Sequence, residues 1–310
     1  MTRIRASPFR PTARPATLGD WLALAERLYR RENVALGQVA TNAHDEALYL
    51  LLRTLGLSLE SDARVLARSI SAPEAEALEA VLRRRVTDRV PAAYLTREAW
   101  LGGHRFYVDE RVIIPRSYLL EIIPEQLDAW VPAGKKVRRV VDMCTGSGCL
   151  AILLAHHFAS VRVDACDLSA GALEVAQINV RAHGLMRRVA LFHSDVFDTV
   201  PAAKYDIILS NPPYEPRAVV AAQAPEFAAE PRMAHDGGRD GLDIIRKLLR
   251  QAPARLLPHG LVVIEVGGLR AAVDREFAAF EPHWLHTADG ADCVVLFQAA
   301  RLGDGTGRKR

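Results

Sequence analysis

The 310-residue chain has few cysteines and no long uninterrupted apolar segment, and each scarcity argues against a class of protein. No hydrophobic run approaches the length of a transmembrane helix, so we expect no membrane partner. The first sixteen residues are rich in arginine, proline and alanine and lack the apolar segment of a secretory signal. Four cysteines in a chain of this size predict reduced, buried thiols and a cytoplasmic protein rather than a disulfide framework.

Basic residues are concentrated at the two ends of the chain. The formal net charge is +3, but residues 1–16 contain four arginines and no acid, and residues 303–310 contain three basic residues and one acid. The rest of the chain is therefore negative overall, which disfavours specific binding to nucleic acid. We expect residues 1–16 to form a disordered basic tail and residues 303–310 to form a second tail.

Helical periodicity without strand signals extends over residues 17–90 and predicts a small helical bundle. Asn42 or Thr41 can cap its second helix. Ser71 and Glu74 have the spacing of a capping box ahead of a third helix. This segment contains no catalytic constellation, so we expect it to serve as the docking domain for a protein partner.

A change of pattern after Pro91 predicts a linker. Aromatic and β-branched residues surround Gly102 and Gly103, which is typical of a β-hairpin. We assign residues 91–118 to this hairpin linker and residues 119–302 to a catalytic domain.

Strands and helices alternate within the catalytic domain. The predicted strands are 137–143, 161–167, 189–193, 205–210 and 261–266, followed by a closing pair at 284–287 and 292–298. The predicted helices are 149–158, 169–182, 242–257 and 269–280. This alternation indicates an α/β fold with a mainly parallel sheet covered on both faces and ligands at the carboxyl ends of its strands.

A glycine turn, defined as residues 144–148 (Cys-Thr-Gly-Ser-Gly), ends the first strand and opens the first helix. Its glycines allow a tight turn, and the helix N-terminus offers unpaired N–H groups. Asp167 ends the second strand, 21 residues after Gly146, where an acid can accept hydrogen bonds from ribose hydroxyls. Asp195 follows the third strand. Three acids at this edge, counting Asp142 before the turn, favour a nucleoside without phosphates, because carboxylates repel phosphate.

The same turn leaves a second interpretation open. Residues 146–151 also satisfy the dinucleotide fingerprint G-x-G-x-x-A, so a nicotinamide-dependent dehydrogenase is an alternative. A P-loop is excluded because no Lys-Ser/Thr pair follows. A serine nucleophile elbow is excluded because Thr145 and Cys149 stand where glycines are required around Ser147.

The NPPY corner, defined as residues 211–214, follows the fourth predicted strand. Pro212 and Pro213 cannot donate hydrogen bonds, so they must lie past the paired part of the sheet as a stiff, acceptor-only segment. Asn211 adds a side-chain acceptor, and Tyr214 adds an aromatic surface. Two acceptors and a ring suit a planar NH2 group.

Together these motifs resemble the class I S-adenosylmethionine methyltransferases that modify planar amides and amines. The resemblance implies a Rossmann-like sheet of seven strands and S-adenosylmethionine as cofactor. It implies that the glycine turn contacts the methionine part, that Asp167 holds the ribose, and that Asp195 and Val196 lie near adenine. The implied catalytic residues are Asn211, Pro212, Pro213 and Tyr214. The implied cofactor residues are Asp142, Cys144, Thr145, Gly146, Ser147, Gly148, Asp167, Asp195, Val196 and Asn211.

Two groups within this class share the NPPY corner: adenine methylases of nucleic acid, and methyltransferases that act on a glutamine amide in translation proteins. The remaining segments are similar to the glutamine methyltransferase family, and the resemblance covers about residues 17–302. These segments are 91–96, 99–100, 102–103, 106–112, 115–117, 230–231, 240–243 and 265–267. Tyr-Val-Asp-Glu-Arg-Val and Pro-Arg-Ser look like the branch whose substrate is the third large-subunit ribosomal protein. The sister branch, which modifies release factors, usually continues Pro-Arg with proline.

Several positions depart from the family pattern. Tyr118 stands where the family usually has proline, and residues 288–293 replace a glycine-rich segment. Val196 is small for its position, so we expect looser packing at adenine or a role for Phe197. Glu265 can shape the site or only cap the loop that follows it, and the sequence does not distinguish these two roles.

The alternative functions can be distinguished by what each protein binds or transfers. An adenine methylase requires a basic groove, a dehydrogenase binds NAD, and a binding-only protein transfers no methyl group. His283 and His286 are a close histidine pair, but no further ligand stands at zinc spacing, so we expect no metal.

Overall fold

The structure, a computed structural model, describes residues 14–303 and divides into two compact units. The helical unit consists of the described residues up to Ala99 together with Ala224–Ala229. The catalytic unit consists of Trp100–Gln223 and the described residues from Glu230 onward. The predicted tails at 1–16 and 303–310 fall almost entirely outside the described residues.

The secondary structure is as follows. The α-helices are α1 (Leu18–Arg31), α2 (Ala43–Thr54), α3 (Ala72–Val86), α4 (Ala92–Thr96), α5 (Leu119–Glu125), α6 (Leu127–Trp130), α7 (Cys149–His157), α8 (Ala170–Ala182), α9 (Arg217–Val220), α10 (Pro225–Ala228), α11 (Asp243–Gln251), α12 (Arg270–Phe277) and α13 (Ala299–Leu302). The strands are β1 (Ala99–Leu101), β2 (His104–Phe106), β3 (Arg139–Met143), β4 (Arg162–Asp167), β5 (Val189–His193), β6 (Tyr205–Ser210), β7 (Leu256–Glu265), β8 (His283–Leu285) and β9 (Val294–Gln298). Single 3-10 turns cover Ala63–Ala67, Arg232–Ala234, Ala252–Ala254, Gly267–Leu269 and Ala278–Phe280.

The helical unit packs α1, α2 and α3 around one apolar core that includes Trp21, Leu50 and Leu78. The helices begin where short polar residues can satisfy the first backbone N–H groups. Asn42 accepts from the backbone of α2, and Ser71 forms the predicted capping box at α3. Within residues 14–303, no helix combines the length and the apolar character that crossing a bilayer requires.

A buried ion cluster lies inside the helical unit. Arg85 is fully buried on α3 and donates from Nε to Glu46 on α2 at 2.7 Å. Glu226 on α10, also fully buried, lies 3.7 Å from Arg85 Nη1. Its Oε1 additionally accepts from Arg89 at 2.9 Å and from the backbone N of Ala35 at 3.1 Å. The segment Ala224–Ala229 is therefore held within the helical unit by ion pairs and hydrogen bonds of Glu226.

The catalytic unit contains a seven-stranded sheet in the order β5-β4-β3-β6-β7-β9-β8. The first five strands in this order are parallel, and β9 runs antiparallel to both β7 and β8. The predicted α/β fold with a mainly parallel seven-stranded sheet is confirmed. Strand order reverses between β3 and β6, which is the switch point where open sheets of this kind bind ligands.

Both faces of the sheet are buried because alternate residues point to opposite sides. Val140 and Ile207 belong to one core, which also includes residues of α5 and α7. Val141 and Ile208 belong to the other core, which includes residues of α11 and α12. The sheet is therefore covered by apolar residues on both faces.

The predicted helix over 242–257 was wrong at its end. The helix stops at Gln251, Ala252–Ala254 forms a 3-10 turn, and β7 begins at Leu256. Pro253 has no backbone N–H and cannot continue the helical hydrogen bonds. Leu256 instead pairs with Tyr205 on β6, with a register shift before the pairing resumes at Leu261.

The observed hairpin, formed by β1 and β2, is shorter than the predicted hairpin linker, residues 91–118. Its strands β1 and β2 pair around Gly102 and Gly103, both at positive φ, as a tight two-residue hairpin turn requires. Residues 107–117 follow as irregular chain rather than as a strand.

Candidate active site

The glycine turn and the NPPY corner leave the same edge of the sheet side by side. β3 and β6 are parallel neighbours, and Met143 pairs with Ser210 at the last position of each strand. The Ser210 hydroxyl also donates to the Met143 carbonyl at 2.8 Å. The residues that follow these two positions therefore begin next to one another, as the parallel register requires.

The glycine turn folds back tightly onto the neighbouring strand. Thr145 N donates to the Cys166 carbonyl at 2.9 Å, and Gly148 N donates to the Thr145 carbonyl at 2.8 Å. Gly148 is the N-cap of α7 at φ +79°, and a Cβ there would lie 3.2 Å from the Ala176 side chain. Cys144 also has positive φ, a conformation that non-glycine residues rarely adopt. The turn is therefore tight, and a side chain at position 148 would crowd α8.

Asp142 is completely buried behind this turn. Its Oδ2 accepts from Thr145 Oγ1 at 2.6 Å and from Ala151 N at 3.0 Å, whereas Oδ1 has no partner among the described residues. Burial raises the pKa of Asp142 to about 7, with a smaller contribution from the charge of Asp167, although its two hydrogen bonds oppose the rise. A buried unpaired carboxylate oxygen is costly, so the geometry favours a ligand that brings a donor or a positive charge.

Asp167 is held in place by the backbone. Gly146 N donates to Oδ2 and Ser169 N donates to Oδ1, each at 2.8 Å. Burial raises the pKa of Asp167 above its usual range even though these bonds oppose it. Each carboxylate oxygen retains a further lone pair for a hydroxyl donor. Leu168, the next residue, has 52% of its surface exposed and offers an apolar face beside the acid.

Asp195 and Val196 follow β5. Asp195 differs from the expected ring of acids because it has a basic partner. Lys247 on α11 donates to Asp195 at 2.8 Å and to Asp198 at 2.6 Å, so the carboxylate of Asp195 is not an isolated charge. Val196 is buried at φ +52°, an outlier for a β-branched residue. Phe197 is also buried and packs on Tyr205.

Two acceptors of the NPPY corner have no donor within the described part of the chain. The Asn211 amide is oriented by a bond of 3.5 Å from Nδ2 to the Arg116 carbonyl. No donor of residues 14–303 reaches Asn211 Oδ1 or the Pro212 carbonyl. The corner therefore keeps two acceptors beside the glycine turn.

Glu265, at the end of β7, connects Tyr214 to the segment that follows the hairpin. It accepts from Tyr214 Oη at 3.3 Å, from Ser117 Oγ at 2.5 Å and from the backbone N of Tyr118 at 3.0 Å. Burial raises the pKa of Glu265, although these bonds oppose the rise, and burial also raises the pKa of the Tyr214 phenol. Glu265 therefore ties Tyr214 to Ser117 and Tyr118. A proline at 118, usual in the family, could not make the backbone bond that Tyr118 makes.

Two glycines define the space around Tyr214. Gly267 has φ +50°, and a Cβ there would lie 2.5 Å from Tyr214 Cε2. Gly241 has φ +85°, and its Cβ would collide with the Tyr214 carbonyl oxygen. A side chain at either position would displace the tyrosine, since both are also at a backbone conformation that favours glycine.

A buried ion network fixes Arg116, whose carbonyl orients Asn211. Its guanidinium donates to both carboxylate oxygens of Glu230 at 2.7 Å. Glu230 also accepts from Ile114 N at 3.2 Å and lies 2.9 Å from His235 Nε2. Burial disfavours the charge on Glu230, but the bonds from Arg116 and His235 outweigh burial and hold its pKa below the usual range.

Sequence reasoning missed several residues of this edge. Lys247 and Leu168 had no motif to mark them, because a lysine on a helix and a leucine after a strand are ordinary. Glu230 and Ser117 were noted only as parts of the family resemblance. His235 had no signal, since its partner becomes apparent only when the chain folds.

Three comparisons relate the chain to known proteins. The family model described as Methyltransferase small domain matches residues 117–230. A protein of Burkholderia pseudomallei named ribosomal protein uL3 glutamine methyltransferase is 44% identical over 293 residues, covering 92% of this chain and 95% of its own length. A protein of the same name from Bradyrhizobium diazoefficiens is 41% identical over 292 residues, covering 92% of each chain. The solved hMettl16 catalytic domain, in complex with MAT2A 3′UTR hairpin 1, shares the fold with a TM-score of 0.51, 15% identity and coverage of 82% and 90%.

Proposed function

The chain belongs to the family of ribosomal protein uL3 glutamine methyltransferases, and we propose that it methylates the side-chain amide nitrogen of a glutamine in that ribosomal protein. The cofactor of the proposal is S-adenosylmethionine, and the site of action is the cytoplasm, where ribosomal proteins are made. The observation that carries the proposal is the pair of unpaired acceptors, Asn211 Oδ1 and the Pro212 carbonyl, beside the glycine turn.

The residues of the glycine turn fit this cofactor. Asp142 Oδ1 is a buried acceptor without a partner, and a carboxylate there suits the ammonium of a methionine group. Gly146 and Gly148 have no side chains and take positive φ, which leaves room at the turn for the cofactor chain.

The residues at the ends of β4 and β5 fit the nucleoside of the cofactor. Asp167 retains acceptor capacity for two ribose hydroxyls while its orientation is fixed by Gly146 and Ser169. Leu168 offers an exposed apolar surface to a flat base, and Asp195 and Val196 lie at the neighbouring strand end. Lys247 lies 2.8 Å from Asp195, so a positive charge accompanies this acid at the strand end.

The NPPY corner performs the positioning. When bound, the cofactor supplies a methyl group on a sulfonium, which needs no nucleophile from the protein. An amide nitrogen is a poor nucleophile because its lone pair is shared with the carbonyl. Asn211 Oδ1 and the Pro212 oxygen can accept its two N–H bonds and hold the nitrogen toward the methyl group, and positioning of this kind contributes about 7–11 kcal/mol.

The same acceptors favour the transition state over the bound substrate. Positive charge develops on the nitrogen as it attacks, and fixed acceptors strengthen their bonds to it at that moment. Tyr214, held by Glu265, supports the corner with its ring. The excess proton leaves after attack, so the site needs no strongly basic side chain.

The proposal is tested by transfer of labelled methyl groups from S-adenosylmethionine to purified translation proteins, followed by tandem mass spectrometry. We expect one added methyl group on a glutamine side chain of the third large-subunit ribosomal protein. Release factors and duplex nucleic acid are included in parallel. Transfer to a release factor or to adenine, with none to the ribosomal protein, would overturn the proposed substrate.

A further inference from the structure

Three histidines that are far apart in sequence meet on the catalytic unit. His104 begins β2, His156 lies in the last turn of α7, and His183 is the C-cap of α8. One ring nitrogen from each lies within 4.8 Å of the other two. His283 and His286, the histidine pair considered in the sequence analysis, are not part of this cluster.

The three rings pack against one another, and binding one shared ion requires the stacked rings of His104 and His156 to turn toward a common point. His104 and His156 stack at 4.7 Å with an interplanar angle of 1°, and His183 stands edge-on to both. His156 Nε2 lies 3.3 Å from His183 Nδ1. Two nitrogens bound to one tetrahedral zinc ion are also separated by about 3.3 Å, given Zn–N distances of 2.0–2.1 Å.

The tautomer of His183 is fixed by a bond outside the cluster. Its Nε2 donates to the Arg105 carbonyl at 3.0 Å, and its ring stacks on the buried Phe106 at 5.2 Å. The lone pair is therefore on Nδ1, the atom that faces His156. A backbone carbonyl is a common partner for the ring N–H of an imidazole whose other nitrogen binds a metal ion.

We infer that His104, His156 and His183 form a binding site for a divalent transition-metal ion of the Zn²⁺ type, with water completing the coordination. Three imidazoles without a carboxylate favour zinc, copper or nickel over magnesium or calcium, which prefer oxygen ligands. In the metal-free protein, His156 Nε2–H donates to His183 Nδ1. Metal binding requires His156 to carry its proton on Nδ1 instead, so the exchange of tautomers balances without net loss of a proton.

The position of the cluster indicates a structural role. It lies at the C-terminal ends of α7 and α8, whereas the glycine turn lies at the N-terminus of α7, nine residues or about 13 Å away. The ion would join the hairpin strand β2 to the two helices. Asn179, one turn before His183, already joins the same regions by bonding the Tyr107 backbone and the Ser147 carbonyl.

The test is calorimetric titration of the untagged, chelator-treated chain with zinc chloride and, separately, with magnesium chloride. We expect one zinc ion per chain, no magnesium binding at this site, and slower hydrogen exchange of the β1–β2 amides when zinc is present. Zinc should also raise the melting temperature, and a chelator should reverse this rise.

Two variants separate a specific site from general affinity for histidine. His156→Ala changes an exposed helical residue and should weaken zinc binding at least tenfold and abolish the effect on exchange. His286→Ala removes an exposed histidine outside the cluster and should leave both unchanged. Equal zinc binding by the wild type and by His156→Ala, or a wild type that binds no zinc, would overturn the inference.

Discussion

The glycine turn after β3 and the NPPY corner after β6 are neighbours on one sheet edge, yet they are built in different ways. The turn has positive φ at Cys144, Gly146 and Gly148 and lies in front of a buried acid, Asp142, one of whose oxygens has no partner among the described residues. The corner is surrounded by satisfied side chains, since Glu265 holds Tyr214 and Glu230 holds Arg116 behind Asn211.

This difference indicates that the turn and the corner have different functions. A site with an unpaired buried carboxylate gains stability when a cationic ligand arrives, so the turn is suited to binding. A site whose supporting bonds are already made loses little entropy during the reaction, so the corner is suited to positioning. Substitutions in the corner should therefore reduce transfer, and substitutions behind the turn should change affinity for the cofactor.

The largest effect is expected for Asn211→Ala. The amide would lose one of two acceptors, and we expect transfer to fall about 10³-fold, as when one preorganised hydrogen-bonding group is removed. Affinity for S-adenosylhomocysteine, measured by calorimetry, should stay within several-fold of the wild type. Asn211→Asp retains an oxygen at this position and should be less impaired than alanine. Equal losses of transfer and affinity in the alanine variant would contradict the assignment of different functions to the turn and the corner.

Gly267→Ala should reduce transfer about 100-fold, because a shift of about 1 Å in a positioning group costs this much. Its Cβ would meet the Tyr214 ring at 2.5 Å. Gly268→Ala is the matched control, since a Cβ at that neighbouring position meets nothing within 4 Å. Steady-state rates for the two variants test the contact, and similar losses in both would show that the Tyr214 ring is not the cause.

Glu230→Gln should destabilise the protein by about 3 kcal/mol, because it leaves the Arg116 guanidinium without its buried counter-charge. Transfer should fall less than in the two variants above. Glu276→Gln is the control, since Glu276 also binds an arginine, Arg246, through two bonds of 2.6 Å but does so at the surface. An exposed pair contributes at most about 1 kcal/mol, which urea denaturation can distinguish. Equal destabilisation in both variants would count against a special role for the buried network.

The smallest expected effect is the change of stability and of cofactor affinity with pH. The pKa of Asp142 is raised from 3.8 to about 7 in the folded chain, so its protonated form is favoured by folding. Its contribution to stability is complete below pH 4 and is lost as pH rises through 7. Cofactor binding has the opposite trend, because a cationic group prefers the ionised acid.

Affinity for S-adenosylhomocysteine should therefore increase roughly eightfold between pH 6 and pH 7.5, the ratio of ionised fractions for a pKa of 7. Asp142→Asn keeps an oxygen to accept from Thr145 or Ala151 and should show no such increase. A wild type whose affinity is flat over this range would show that Asp142 does not titrate against the ligand.

The sequence allowed the fold class, the enzyme class and the family to be predicted, and all three are confirmed. Alternating strands and helices determine the sheet, and local motifs such as Gly-Ser-Gly and Asn-Pro-Pro-Tyr carry their own geometry. The dehydrogenase alternative arose because G-x-G-x-x-A is a short pattern shared by unrelated ligands, and family membership decides against it. Domain limits and the roles of individual site residues stay predictions.

The features that could not be predicted from the sequence depend on contacts between residues far apart in the chain. Lys247 reaches Asp195 across 52 positions, Glu265 reaches Ser117 across 148, and the three histidines come from separate elements. The early end of α11 was missed because a strand partner, Tyr205, outweighs the helical pattern beyond Pro253. Val196 at positive φ was also beyond sequence reasoning, since β-branched residues rarely take that conformation.

The most direct test is a crystal structure of the chain with S-adenosylhomocysteine and a glutamine-containing peptide from the ribosomal protein. We predict that the glutamine side-chain nitrogen lies about 2.9 Å from both Asn211 Oδ1 and the Pro212 carbonyl oxygen, facing the cofactor sulfur. A glutamine nitrogen that bonds to neither oxygen, or an NPPY corner turned away from the cofactor, would contradict the account.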